Sequence, residues 1–565
     1  MNIVLLVLIG LPLLGAAVLV ARPVDERSAR LVGVGVSGAA LVLAVVLAIA
    51  FDRDDARTMQ FTTDRVWASS LGLHFHLGID GISLPLLVLT ALLTFLVAVH
   101  SLGTIPPGGS ARAYTALVLV LECGVLGTFA ALDLILFFLF FEVVLIPMYF
   151  LIARWGTPGE RGPAAFKFIL YTLLGSAVML LGFLLVQAHT GTFDITQLTV
   201  GAGDGMSRGV QITAFLAIAA GLAVKVPMWP LHTWLPDAHT AAPTGGSVLL
   251  AGVLLKMGTY GLVRIAVPVL PEGAEVFAPY LAAFGTVGIV YGSLVCLALL
   301  RDPDGDLKRI IAYSSVGHMG FALLGIATLT PQGVNGALFV NIGHGLITGL
   351  LFFLAGAVKE RSGTALLGRI GGSLYARAPR LGGLLAFAAV AGLGLPGLAG
   401  FWGELLAMYG AYHPASGLSR PLYLVLLAAA GAGTVLTAAY MLGIVRTVCM
   451  GPGLGASLVP GSDAGVEAVS APAGNGRSEA ARSEAGQQEA AHAETGHAEA
   501  GHAQAGRPGT GREAVVRVEP LADVGRVEVA AWGPLVVLTV VAGLWPASVL
   551  AVTDPAVRAL LGGGA

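Results

Sequence analysis

"GLAVKVPMWPLHTWLPDAH", Gly221–His239, decides how the rest of the chain is read. It opens as the end of an apolar helix. It then crowds Lys225, Pro227, Pro230, His232, Asp237 and His239 into a few turns. Proline lacks an N–H and clashes with the preceding turn, so Pro227 and Pro230 predict a helix that stops just after Lys225. Lys225 follows a run of apolar residues and falls roughly 20 Å into the helix at 1.5 Å per residue. A helix broken at that depth frees backbone carbonyls, which are tolerated only against protein or a water-filled cavity. A segment that only had to span lipid would carry neither the lysine nor the prolines.

The composition agrees. Hydrophobic residues make up 56% and charged residues 11% of the 565 residues, the profile of a polytopic membrane protein. A net charge of -2 with no basic patch argues against a nucleic-acid partner. Cys123, Cys296 and Cys449 lie far apart in apolar runs, which argues against a disulfide framework, a zinc site or an iron–sulfur cluster on this chain. The first residues, "MNIVLLVLIGLPLLGAAVLVA", have no basic region before the apolar run and read as a retained first helix. About fourteen apolar runs recur, at 3–21, 31–51, 82–103, 113–131, 133–152, 168–188, 210–232, 245–266, 278–300, 309–329, 333–357, 381–409, 421–445 and 530–552. The expected fold is therefore an all-α polytopic membrane protein.

Connections after odd-numbered spans hold fifteen Lys and Arg, from Arg22 to Arg380, against six after even-numbered spans, before the last long loop is counted. The positive-inside tendency makes the odd connections cytoplasmic and puts both termini on the other side. Residues 451–528 are small, polar and repetitive, with His492, His497 and His502 five apart, and read as a low-complexity linker rather than a metal-binding tract. Two stretches, "GVGVSG" (Gly33–Gly38) and "GLGLPG" (Gly392–Gly397), fit a dinucleotide-binding pattern. Both lie inside apolar spans rather than between a strand and a helix, so close helix packing or a helix break is the better reading.

Several ionisable residues lie deep in these spans: Glu122, Glu142, Lys225, Lys256, His318, His344 and Glu404. A charge at a helix centre costs about 2.5–3.5 kcal/mol on the lenient insertion scale. Four of them would cost on the order of 10 kcal/mol, comparable with the net stability of a domain. Static ion pairs that fix helix register explain one such residue well. Seven, in separate helices, fit a proton relay better, since histidine titrates near neutrality and desolvation brings lysine toward the working range. The helix-breaking device also appears twice. "GLGLPGLAGFWGE" sets Pro396 among five glycines, with Glu404 two turns on. Two interrupted helices in the two halves of the chain predict an internal repeat with a transport path at its centre.

At these residues the sequence resembles a known family. "KVPMWPLHTWLPDAHTAAPTGGSVLLAGVLLKMGTYG", "AYSSVGHMGF", "GHGLITGLLFFLAG" and "GLPGLAGFWGELL" are similar to the antiporter-like subunits of respiratory complex I and of multi-subunit Na⁺/H⁺ antiporters. The resemblance covers nearly the whole chain outside the polar insert. Glu404, where sister subunits resemble one another in having lysine, sides with one branch of the complex I group, and so does "GHGLITGLLFF", which lacks a lysine after the histidine.

The resemblance implies fourteen helices with two inverted five-helix repeats and discontinuous seventh and twelfth helices. Its domains would be three N-terminal helices (1–110), a first repeat (111–267), a second repeat (268–450), the insert (451–528) and a last helix (529–565). It implies that Glu142 and Lys225 form a charge-coupled pair, that Lys256 is the central relay, and that His318 and His344 lead on to Glu404. Glu122, His232, Asp237 and His239 are secondary candidates. No cofactor or metal is expected on this chain: NADH, flavin, iron–sulfur clusters and quinone belong to other subunits. The implied partners are neighbouring antiporter-like subunits of the membrane arm, lipid, protons and water, in a bacterial plasma membrane. A cation/proton antiporter subunit and a hydrogenase-type membrane subunit share most of these motifs and are the alternatives.

Overall fold

A computed structural model describes residues 1–451 and 521–562. The expectation for the polar insert lies almost wholly outside the described residues. Helices α1 (Asn2–Ala21), α2 (Glu26–Ala50), α3 (Ser83–Ser101), α4 (Ala111–Ala130), α5 (Leu134–Trp155) and α6 (Arg161–Thr190) form the first part. The seventh span is broken, into α7 (Arg208–Lys225) and α8 (Trp234–Ala241). Then come α9 (Thr244–Val269), α10 (Pro271–Arg301), α11 (Leu307–Ala327) and α12 (Pro331–Ser362). The twelfth span is broken as well, into α13 (Pro379–Gly392) and α14 (Ala399–Tyr412). Helices α15 (Arg420–Cys449), α16 (Arg526–Leu544) and α17 (Ala547–Leu560) follow. Among the described residues thirteen helices are each long and apolar enough to cross a membrane, and α13 is a shorter apolar helix outside that count.

The local reasons are ordinary helix chemistry. Asp25, Ser110, Asp133, Ser207, Asp306 and Thr330 cap the starts of α2, α4, α5, α7, α11 and α12, their side-chain oxygens accepting first-turn N–H groups. The glycine-rich stretches behave as helix packing and helix break. A Cβ on Gly33 would sit 2.5 Å from Thr115 Cγ2 of α4, and Gly394 and Gly397 take φ of +80° and +94° between α13 and α14.

Packing is layered by polarity. The most apolar windows of α9 and α12 are wholly enclosed by other helices, and α11 is nearly so. Helices α1, α2, α10 and α15 instead leave broad apolar faces uncovered, as lipid-facing helices do. The enclosed helices are those that carry Lys256, His318 and His344.

The connections gather at two ends. At one end Thr157 N donates to Ala241 O, Lys359 Nζ to Thr157 Oγ1, Lys308 Nζ to Ala242 O and Leu307 N to Ala365 O, joining connections that follow odd-numbered spans. At the other end lies an element absent from the expectation, a hairpin of β1 (Gln60–Ala68) and β2 (Leu73–Ile79) between α2 and α3. His76 of β2 pairs with Asp194 at 2.7 Å, and Leu132 N donates to His76 O, so the hairpin is tied to the start of α5. Amphipathic α17 packs at the same end, where Asp554 Oδ1 accepts from Asn335 Nδ2 of α12 at 2.9 Å.

Candidate functional site

The first break falls where the prolines predict. Helix α7 ends at Lys225, and residues 226–233 are non-helical. Of the carbonyls near the break, Val224 O accepts from the indole Nε1–H of Trp234 at 3.0 Å, so α8 stitches the interruption shut. Lys225 is buried and its Nζ has no hydrogen-bond partner; it lies 4.5 Å from the centroid of the Phe141 ring. The C-terminal end of a helix favours a cation, which eases this placement.

Glu142 follows Phe141 on α5, at a local discontinuity between Val143 and Leu145. Its carboxyl is half-buried, with Oε1 unpartnered. The resemblance implied a charge-coupled pair; Glu142 and Lys225 do not form a direct ion pair in this conformation. The Phe141 ring of α5 occupies the lysine's immediate surroundings.

Lys256 is different. Helix α9 carries π-helical turns at Leu250–Leu254 and Leu262–Ala266, either side of the lysine's own α-helical stretch. Such turns loosen the backbone ladder and recur at functional sites. Lys256 Nζ donates to Ala251 O, inside the first wide turn, at 2.5 Å, and meets His344 Nδ1 at 2.6 Å. The His344 ring meets that of His318 edge to face, centroids 5.7 Å apart, and His318 Nδ1 lies 3.1 Å from Glu404 Oε1. Four helices thus bring Lys256, His344, His318 and Glu404 into one line. Beside it is a cavity of about 20 Å³ bounded by His318, His344, Gly400 and Glu404, room for a single water. His344 Nε2 has no protein partner. Gly394 makes space for the acid, since a Cβ there would lie 3.1 Å from Glu404 Oε2.

The secondary candidates separate. His232 sits in the first break, buried, with both ring nitrogens unpartnered and its edge toward Tyr291. His239 on α8 is fully buried, unpartnered, and stacked on Phe352 at 4.3 Å. Asp237 lies near the surface at the odd-connection end, bridging Lys167 at 2.8 Å and Arg309 at 3.4 Å, and so joins helices rather than the buried line. Glu122 is fully buried with both oxygens unpartnered, apart from the line.

Sequence reading missed several participants. Thr259 Oγ1 donates to Lys256 O and meets Asn341 Oδ1, each at 3.0 Å. Thr259 lies three residues after Lys256 and Asn341 three before His344, a helical spacing that puts each on its partner's face. Arg264 pairs with Asp80 at 2.5 Å, both 3% exposed, where α9 meets the start of α3. Lys308 is buried with its Nζ on Ala242 O at 2.6 Å, although its place at the start of a span read as a loop charge.

Residues 131–430 match the family described as NADH:quinone oxidoreductase/Mrp antiporter, TM, more than half of the chain. The chain belongs to that family. Among similar members is NADH-quinone oxidoreductase subunit M of Rhodobacter capsulatus, 42% identical over 78% of this chain and 85% of the relative. NADH-ubiquinone oxidoreductase chain 4 of Arabidopsis thaliana is 39% identical over 79% of this chain and 86% of the relative. A chain of respiratory complex I from Thermus thermophilus, solved with bound NADH, superposes with a TM-score of 0.76 at 27% identity, covering 99% of each chain. The family's antiporter-like transmembrane region begins at the last residues before α5 and ends inside α15, so it takes in both broken helices and the buried line.

Proposed function

We infer that this chain is a proton-translocating subunit of the membrane arm of an NADH-quinone oxidoreductase, seated among other antiporter-like subunits in a bacterial plasma membrane. The observation that carries the relay is the line Lys256–His344–His318–Glu404, with hydrogen-bond contacts at both ends and a water-sized space beside it.

Lysine Nζ donates to Ala251 O and to His344 Nδ1, which leaves the neutral imidazole its proton on Nε2. A proton passing from Lys256 to Nδ1 makes an imidazolium. Its Nε2 proton then leaves through water toward His318 and Glu404. The ring takes a proton on one nitrogen and releases one from the other, and turning over restores it. Lys225, ending a broken helix and lacking a partner, holds its proton while Glu142 remains ionised nearby. When Glu142 is neutralised or drawn away, desolvation favours release from Lys225. The driving energy arrives from neighbouring subunits as conformational and electrostatic change, since the redox groups of such a complex lie on other subunits. The basic odd-numbered connections face the cytoplasm and both termini face the opposite side.

The test is NADH-driven proton pumping in membrane vesicles, wild type against Glu142→Gln, with quinone reduction followed in parallel. Loss of both in an assembled complex supports the reading. Normal oxidation with normal pumping would make Glu142 structural and the inference wrong.

A further inference from the structure

Away from the buried line, α1, α4 and the second half of α5 enclose an open groove of about 690 Å³. That volume lies within the range of sites that hold small apolar ligands. Its floor is made of small side chains, Ala16 and Ala17 of α1 and Ala113 of α4, and its walls of Val20, Leu117 and Phe150. The lining residues of α1 recur at helical spacing over about 12 Å of axis, so the groove runs along the helices as an acyl chain would.

The groove ends at the odd-connection side in polar groups that lack partners. Trp155 lines it and is 3% exposed, yet its indole Nε1–H, a donor only, has no acceptor. Arg154 also lines it and is exposed, and among the described residues no carboxylate pairs with its guanidinium. Arg112 and Arg22 stand beside each other at the adjoining helix ends, with Arg112 Nη1 at 3.5 Å from Arg22 O. Glu26, at the start of α2, accepts from Ala111 N–H of α4 at 2.8 Å. An apolar slot with an unanswered indole donor and an excess of guanidinium calls for an acceptor-rich anion joined to a hydrocarbon tail. Basic pockets between transmembrane helices on the cytoplasmic side suit anionic headgroups.

We propose that this groove is a binding site for an anionic membrane phospholipid, with one acyl chain lying between α1 and α4 and the phosphate at Arg154, beside Trp155. The leaflet assignment rests on the orientation given under Proposed function; the site itself does not. An occupant of this kind would fix the N-terminal helices against α5, the helix that carries Glu142.

The test uses the intact complex in nanodiscs that contain a phosphatidylglycerol with a photoreactive group on its acyl chain, or the phosphatidylcholine counterpart. Expected is labelling of peptides from α1 and α4 by the anionic lipid in preference to the zwitterionic one. Arg154→Gln should lower that preference about fivefold, the effect of one basic residue near an anionic headgroup. Ala113→Trp, which fills the slot, should abolish labelling at α1 and α4 while labelling elsewhere persists. If Ala113→Trp does not assemble, Arg154→Gln at the rim still decides. Equal labelling by both lipids with no response to Arg154→Gln would overturn the proposal. So would a photoreactive residue at Ala17 that crosslinks to another protein subunit instead of lipid.

Discussion

Lys225 and Lys256 are both buried near mid-membrane, and their surroundings are opposite. Lys225 ends a broken helix, has no hydrogen-bond partner, and lies against a phenyl ring. Lys256 sits in an enclosed helix, held by a backbone carbonyl and an imidazole that leads toward a carboxylate. The first lysine can respond to a charge at a distance because nothing local fixes it. The second is already joined to its acceptor. Helices α7 and α9 pack closely. A Cβ on Gly258 would lie 2.6 Å from Val226 Cγ2 and 2.8 Å from Leu222 O, so helix α9 presses directly on the break in α7. In the relay proposed above, a proton passing from the first lysine to the second would cross this seam, which must then open to water.

The largest effect should come from the joined side. Lys256→Met removes the ammonium that donates to His344, and positioned proton-transfer groups contribute about a hundredfold or more. Proton pumping by the assembled complex, assayed in inverted vesicles, should fall by that order. Activity near wild type would break the distinction between the two lysines. Next is the seam. Gly258→Ala forces a methyl into backbone and Val226, an overpacking cost of about 1–3 kcal/mol. The yield of assembled complex should drop on mild heating, whereas Gly383→Ala, with nothing within 4 Å of its Cβ position, should behave as wild type. Equal behaviour of the two would mean the seam is not tight.

A smaller effect is expected at the second break. Gly394→Ala meets Glu404 Oε2 at 3.1 Å and must hold φ of +80°, at a cost of about 1–2 kcal/mol. Pumping should decline severalfold as Glu404 shifts from His318, with little loss of assembly; an unchanged rate would show that the acid tolerates displacement.

The smallest effect concerns the hairpin at the start of α5. Hydrogen bonding to Asp194 raises the His76 pKa above its usual value, burial opposing. Burial pushes Asp194 up, but bonds from His76, Thr196 and the Gln197 N–H outweigh it and hold the acid at about 2. A histidine raised in this way stabilises the fold fully below its unfolded pKa of about 6.5 and loses that contribution as pH climbs through the raised value. Hydrogen-exchange protection of β2, corrected for intrinsic rates, should weaken above neutrality by up to about 1 kcal/mol. His76→Phe should remove that step; a step that persists would assign it to another group.

Much of this organisation is legible in the sequence because polar residues stand out in apolar runs. Lys225 before Pro227 marks one break, and Pro396 among glycines before Glu404 marks the other. The buried acids and imidazoles announce themselves by their cost. What is hidden has physical reasons too. The π-turns around Lys256 leave no compositional mark, since Leu250–Leu254 reads as ordinary apolar helix. The β1–β2 hairpin is short and lies in a stretch whose polar residues read as a loop, with its turn at Gly72 in the left-handed region. The last span, expected over 530–552, ends at Leu544, and Pro546 precedes the separate helix α17 as its N-cap. The separation of Glu142 from Lys225 goes with an interruption of α5 at Val144, which spacing alone does not specify.

The measurement that reaches the central claim most directly is the proton-to-electron ratio of vesicles carrying Lys225→Ala, with complex assembly verified and quinone reduction recorded in the same preparation. The account predicts a lower ratio, or loss of pumping and electron transfer together, because the relay would lack the charge that Glu142 controls. A wild-type ratio at a wild-type rate would contradict it, leaving Lys225 as a buried helix terminus and nothing more.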